Sequence, residues 1–514
     1  MSKTVIEISG SNLSIEEINQ IVSDPAIKIK VAESARCSVK ESEDFLKRES
    51  TKRIIYGVNT GFGPMASHLI GADRQAELQR NLVISHAMGM GEPIEARFVL
   101  AAMVVRLNTL VRGYAGVSLD LADRFEAFIN HRIIPIVPEH GAVGTSGDLV
   151  QLAHIALAII GEGKVLYDGK IQPAAQVIKE LSLGDYELKP KEGLALINGT
   201  AMMSGIAALI LAEAERAVDL ATRFGAWALE LVHGFGDSIA EELHALRPHP
   251  GQVAVAAHLR RTLQSSSLIR DRHKFRPEQK FDEVVEKIPE DVQEVYSLRC
   301  IPQIVGPIWE AVVEARRVIM IEINSVTDNP VIAKQKEVFF HGGNFHGEYI
   351  ASTVDELKAA ITKLTLLEER RVNFFLNAKV NQHFPPFLNL HQPGLSLALQ
   401  GLQFVATSIA ADNQSLAFPH RLHSISTNGD NQDVVSMGTD AALMAAKVVG
   451  NAYLVLAIEL ITLAQATDVG GDVKSFSGET QRLYQTVRGI FPVVSTDRVA
   501  VDELAKVAEL VRVL

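Results

Sequence analysis

The segment Gly141-Ala142-Val143-Gly144-Thr145-Ser146-Gly147-Asp148 has the composition of a turn able to react with itself. Glycines bracket a threonine–serine pair, and an apolar helical pattern over 149–160 follows at once. A tight turn there presses the Gly147 nitrogen onto the Thr145 carbonyl. Closing that ring expels water, and loss of the Ser146 hydroxyl as a second water leaves an exocyclic methylidene. Glycine suits the third position because a side chain would crowd the ring. The same residues also read as an ordinary glycine-rich turn with Asp148 as N-cap of the following helix. On the segment alone both readings stand.

Other reactive-looking patterns carry less. Gly144-Thr145-Ser146-Gly147 does not fit the G-x-S-x-G nucleophile turn, because the glycine follows the serine directly and no strand leads into it. Sixteen histidines invite a metal reading. Yet His341 and His346, like His244 and His249, are five apart rather than at i, i+4, and no HExxH occurs, so no metal is expected. The glycines of 56–63 and of Gly89-Met90-Gly91 do not spell GxGxxG between strand and helix, and there is no GxxxxGK[ST], so no nucleotide is expected.

The elements that must hold such loops are helical. The spacing of apolar residues predicts long helices over 202–232, 350–377, 395–417 and 437–467, each longer than the usual 11–12 or so residues. In the first, Glu213, Arg216 and Asp219 are expected to share one face. Helices this long, apolar around most of their circumference, need other helices on several sides. That predicts an all-α fold, a long multi-helix bundle shared between subunits. Strand signals are short: Val5–Ile8, Lys164–Tyr167 and Val338–Phe340. Polar or glycine-rich loops interrupt the helical pattern at 56–63, 141–148, 197–200, 341–346 and 428–432. Function concentrates on loops carried by a rigid scaffold. Boundaries near 200 and 470 divide the chain into a loop-rich N-terminal domain (1–200) bearing the turn, a central bundle (201–470) and a C-terminal helical segment (471–514). The uncharged stretch 194–212 reads as a loop feeding a helix buried on all sides rather than as a membrane span. The N-terminus lacks a basic region followed by an apolar core, so no signal peptide is expected.

Composition narrows the class. The 514 residues carry 50 basic and 61 acidic side chains, a net charge of −11, which disfavours binding to nucleic acid through its phosphates. At 47% hydrophobic and 22% charged, the chain is too apolar to be disordered. Two cysteines, Cys37 and Cys300, exclude a disulfide scaffold and fit a reducing compartment such as the cytoplasm.

Motifs spread in order along almost the whole chain resemble the family of ammonia-lyases and aminomutases that carry a 4-methylidene-imidazol-5-one (MIO) group, most closely the bacterial tyrosine and histidine ammonia-lyases. Thr145-Ser146-Gly147 lies where that family forms MIO autocatalytically. The family usually has alanine first. The threonine here matches a minority of members and favours an aromatic substrate or a mutase. The resemblance implies further roles. Tyr56, in Tyr-Gly-Val-Asn-Thr-Gly-Phe-Gly, matches a lid tyrosine. Asn198, in Ile-Asn-Gly-Thr, matches the asparagine that holds the MIO carbonyl region. Gln293, Tyr296 and Arg299, in Val-Gln-Glu-Val-Tyr-Ser-Leu-Arg, match a glutamine touching MIO or substrate, a catalytic tyrosine and a carboxylate-binding arginine. Asn329 lies in the matching Thr-Asp-Asn-Pro. Phe345, in Gly-Gly-Asn-Phe-His, matches a phenylalanine packed on the MIO ring. Asn431 and Gln432 lie in Asp-Asn-Gln-Asp-Val-Val-Ser-Met. The family fold is a fumarase/aspartase-like helical bundle assembled as a homotetramer.

These roles make chemical sense. The β-proton of an amino acid is not acidic, so elimination needs an electrophile that turns the amine into a leaving group, and helix N-termini aimed at it would strengthen it. A phenol titrates near 10, so a tyrosine base needs its phenolate stabilised. Arginine's planar fork suits a carboxylate. For the substrate, Ser85-His86 occupies the family's side-chain selectivity position and resembles enzymes acting on histidine or tyrosine. Gln432 stands where histidine ammonia-lyases have a glutamate. Together the two imply L-tyrosine, converted to trans-p-coumarate. The alternatives are a histidine ammonia-lyase giving urocanate, a tyrosine or phenylalanine 2,3-aminomutase, and a catalytically dead helical assembly protein.

Overall fold

The computed structural model describes residues 5–274, 292–470 and 472–514. Its long elements are the helices Ala201–Leu231, Ile301–Glu322, Glu348–Leu376, Gln400–Leu416 and Gly438–Gly470, the helical class expected. Three of the four anticipated helices start and end within three residues of expectation. The fourth begins at Gln400 rather than 395. The missing turn is drawn into competing bonds: Ser396 Oγ and the Leu397 and Ala398 N–H groups all donate to the Asp497 carboxylate, at 2.6, 2.9 and 2.9 Å. Helix Ile301–Glu322 carries Pro307 inside it, next to Gly306, which hides it from a propensity reading. It forms because Ile301, Val305, Ile308, Val312 and Ile319 give it a buried stripe.

In Ala201–Leu231, Arg216 and Asp219 are exposed but Glu213 is buried. At 3.6 residues per turn the three spread over roughly 120° of arc, which carries Glu213 to the buried edge. The stretch 194–212 also differs from expectation. Residues Glu192–Ile197 form a short helix of their own ahead of the one starting at Ala201. Helix Gly438–Gly470 is long and apolar enough to cross a membrane, yet Ala441, Val448, Leu456 and Leu460 are fully buried, as in a core helix.

The three expected strands have the expected bounds. Val5–Ile8 pairs in parallel with Lys28–Val31. Lys164–Tyr167 pairs antiparallel with Lys170–Pro173 and with Ile134–Pro135. Val338–Phe340 pairs antiparallel with Val331–Ala333.

Contacts group the chain into two units, 1–212 with 315–356 and 419–446, and 213–314 with 357–418 and 447–514. This is not the division into 1–200, 201–470 and 471–514. Those cuts coincide with the start of helix Ala201–Leu231 and the end of helix Gly438–Gly470, but each of these two helices gives residues to both units.

Within the first unit, helix Ala96–Val111 is buried along nearly its whole length. Its Arg106, fully buried, donates to the carbonyls of Ala195, Asn198 and Thr327. Nearby in sequence to two of these, Lys191 and Asp328 form a fully buried ion pair at 2.7 Å. Burial lowers the lysine's pKa and Asp328 opposes that shift. Lys191→Met strands the Asp328 carboxylate without its cation. The expected loss is about 3–5 kcal/mol in urea unfolding, with partial recovery when Asp328→Asn is added.

Candidate active site

The turn is built on two left-handed glycines, Gly144 (φ +77°) and Gly147 (φ +72°). At both positions the space for a side chain is already taken. A Cβ on Gly144 would lie 2.1 Å from Ser436 Oγ, and one on Gly147 only 1.9 Å from the Gly199 carbonyl oxygen. Tethers arrive from four directions. Ser436 Oγ and the Gly347 N–H donate to Gly144 O at 3.0 and 2.9 Å. Met437 N–H donates to Val143 O at 3.0 Å, and Asp148 N–H to Gly199 O at 2.8 Å. Asn198 Nδ2 donates to the Ser146 carbonyl at 3.1 Å. Gln432 Nε2 donates to Ser146 Oγ at 3.1 Å, while Gln432 Oε1 accepts from Thr145 Oγ1 at 2.6 Å.

The tethering residues share a feature. Asp148, Gly199, Gly347 and Met437 each stand immediately or almost immediately before a helix, starting at Leu149, Ala201, Glu348 and Gly438. Four helix N-termini therefore begin beside the turn, and their partial positive charge favours electron density drawn toward it.

Asp148 does not cap the helix it precedes. Its fully buried carboxylate accepts from the N–H groups of Met202 and Met203, at 2.8 and 3.1 Å, and from the Thr439 hydroxyl. It thereby caps the helix starting at Ala201 and ties it to the one starting at Gly438. Burial pushes its pKa up to about 7, against the pull of those hydrogen bonds. A folded-state pKa above the ordinary value means a contribution to stability complete below about pH 4 and lost as pH rises through 7, at about 1.4 kcal/mol per pH unit. Asp148→Asn can keep the same bonds, its amide donating to Thr439, and does not titrate. Urea unfolding at pH 5 and pH 8 is expected to show the variant gaining on wild type as pH rises.

The remaining expected residues of this unit are held by their own loops. Tyr56 is half-buried, with its hydroxyl accepting from Gly63 N–H at 2.9 Å and Phe62 edge-on at 6.2 Å. Asn329 Oδ1 accepts from Gly342 N–H at 3.0 Å. Phe345 is half-buried in the loop that reaches the turn through Gly347. Asn431 is exposed. Ser85 and His86 end helix Gln75–His86. His86 Nδ1 lies 2.9 Å from Leu82 O and 3.1 Å from Ser85 Oγ. A carbonyl can only accept, so Nδ1 carries the hydrogen, and Nε2 of the neutral ring is left as an acceptor.

Gln293, Tyr296 and Arg299 belong to the second unit. Gln293 is exposed. Tyr296 opens the four-residue helix Tyr296–Arg299 and is 69% exposed. The Arg299 guanidinium sits over its ring, 4.7 Å from the centroid, and Nε donates to Glu294 O at 3.0 Å.

Sequence reasoning missed Arg106, Gly199 and Ser436, and it gave Asp148 only a local role. Arg106 did leave a signal, a charge inside the apolar run Met-Val-Val-Arg-Leu. Such a charge needs a dedicated set of acceptors.

A protein-family model described as aromatic amino acid lyase matches residues 13–489. The chain is 36% identical over 510 residues to a histidine ammonia-lyase from Treponema denticola, covering 98% of this chain and 96% of the relative. It is 37% identical over 512 residues to an MIO-dependent tyrosine 2,3-aminomutase from Streptomyces globisporus, covering 98% and 94%. The solved structure of a phenylalanine aminomutase from Pantoea agglomerans superposes with a TM-score of 0.94 at 32% identity, covering 99% of this chain and 98% of the other.

Proposed function

The chain belongs to the aromatic amino acid lyase family, and from that premise we propose that this carbon–nitrogen lyase eliminates ammonia from L-tyrosine to give trans-p-coumarate. The observation that carries the choice of tyrosine is His86. With Nδ1 committed to Leu82 O, its Nε2 is an acceptor suited to a phenol O–H. Gln432 is already engaged by Thr145 and Ser146 and brings no carboxylate for an imidazole.

The residues present fit an MIO group formed from Thr145-Ser146-Gly147. Gly147 leaves no room for a Cβ, and Asn198 and Gln432 hold the Ser146 carbonyl and hydroxyl. In that position MIO supplies an electrophile that makes the substrate amine a leaving group. We assign the rest to the chain's own side chains. Tyr296 takes the β-proton, the electron pair forms the new double bond, and the bond to nitrogen breaks. Arg299, stacked on the Tyr296 ring, binds the substrate carboxylate in its planar fork. By the family resemblance we assign Tyr56 the role of lid residue, Asn329, Phe345 and Asn431 that of lining residues, and Gln293 that of a substrate contact. We further propose assembly as a homotetramer, which would cover exposed apolar side chains such as Leu422 and Ile425. Two free cysteines suit a cytoplasmic protein.

Purified protein is to be given L-tyrosine, L-histidine and L-phenylalanine separately, with products resolved by chromatography. Coumarate from tyrosine alone is expected. Urocanate would assign the histidine reaction named for the Treponema relative. A β-amino acid would assign the aminomutase reaction named for the Streptomyces relative. No product from any of them would leave a helical assembly protein.

A further inference from the structure

We propose that Thr145 is a positioning residue for the making of the ring, beyond lending it a carbonyl: its hydroxyl sets the Gln432 amide so that the amide NH2 meets Ser146 Oγ, the oxygen that must leave. The inference rests on the reading of Thr145-Ser146-Gly147 as an MIO precursor.

The distances fix the amide's orientation. Thr145 Oγ1 to Gln432 Oε1 is 2.6 Å, a hydroxyl-to-carbonyl length and too short for an amide nitrogen. The other amide atom, 3.1 Å from Ser146 Oγ, has the length of an N–H donor. Thr145 is 4% exposed, so water does not stand in for its hydroxyl. Gln432 is pinned at its own backbone, exchanging hydrogen bonds with Thr427 at 3.1 and 3.3 Å. The only freedom left to its side chain is in its own torsions, and Thr145 removes that too.

The consequence falls on the second dehydration. In the first, the Gly147 nitrogen bonds to the Thr145 carbonyl carbon, and the carbonyl oxygen leaves with the amide hydrogens of Ser146 and Gly147. In the second, the Ser146 Cα–H bond breaks, its electron pair forms the Cα–Cβ double bond, and the Cβ–Oγ bond breaks. Oxygen departs with two hydrogens as water, and no oxidant or reductant is consumed. Negative charge builds on Oγ as that bond breaks, where the Gln432 N–H is aimed. Without the Thr145 hydroxyl the amide is free to turn, presenting a lone pair to the departing oxygen and taking the Ser146 hydroxyl as a donor instead.

The test follows the mass of the full-length chain at intervals after cell-free synthesis. Wild type is expected to lose the mass of two waters. Thr145→Val, which keeps the shape and removes the hydroxyl, is expected to do so roughly ten-fold more slowly, the worth of one buried hydrogen bond. Thr145→Ser is expected to restore the wild-type rate, which loss of packing alone would not allow. Gln432→Leu is expected to slow dehydration as much as Thr145→Val does, and the double variant no more than either. Dehydration of Thr145→Val at the wild-type rate overturns the proposal. If circular dichroism shows that variant unfolded, Gln432→Leu decides by the same criterion. A wild-type chain that keeps its full encoded mass overturns the precursor reading itself.

Discussion

Gly147→Ala is expected to abolish ammonia release, by at least about a thousand-fold, and to leave the chain at its full encoded mass. The backbone alone penalises the change, since φ at 147 is +72° and an L-residue there costs about 1–2 kcal/mol. The larger obstacle is space. The new Cβ would sit 1.9 Å from the Gly199 carbonyl oxygen and 2.2 Å from its carbon, both backbone atoms. Gly199 cannot retreat. The place of its own missing Cβ is 2.3 Å from Arg106 Nη1 and 2.4 Å from the Thr327 carbonyl oxygen, and Arg106 is fixed by three carbonyls in the core. Something must therefore yield on the turn's side. The Asp148-to-Gly199 bond and the grip of Asn198 on Ser146 are the contacts that hold the Thr145-Ser146-Gly147 turn in place. Mass spectrometry and a product assay on one preparation check both halves. Turnover within ten-fold of wild type would sink the argument.

The same contacts mark what a sequence can and cannot disclose. The turn was legible because its chemistry is local: three glycines, a hydroxyl and a following helix within eight residues. The long helices were legible because an apolar stripe repeats many times. What packs against what was not. Gln432 meets a turn 287 residues away, and Asp148 caps a helix that begins some fifty residues later. The family resemblance made Gln432 a reader of the substrate side chain, whereas the structure has both ends of its amide on the turn. The N-cap reading of Asp148 failed for a related reason. Spacing names a cap's position but not which orphan N–H groups its carboxylate meets, and burial decided in favour of another helix. At Pro307 and at 395–399, tertiary burial and the Asp497 carboxylate overrode local preference in opposite directions.

His86→Phe is expected to lower kcat/KM for L-tyrosine roughly 10²–10³-fold while L-phenylalanine gains relative to it. The imidazole is anchored at one edge only. Nδ1 donates to Leu82 O, a carbonyl in the last turn of helix Gln75–His86. That leaves Nε2 as the edge a phenolic substrate would meet in the proposed reading. A phenol whose hydroxyl enters an apolar pocket without an acceptor pays for its own desolvation, and a pocket built around such an acceptor discriminates strongly between side chains with and without the hydroxyl. Folding should be little changed, because Ser85 Oγ also donates to Leu82 O, at 3.1 Å, and remains after the substitution. A fall in tyrosine turnover with an unchanged thermal midpoint therefore reads recognition rather than stability. Equal losses on tyrosine and phenylalanine would remove His86 from substrate recognition and return the question to Gln432, whose amide would then have to choose between the turn and the substrate.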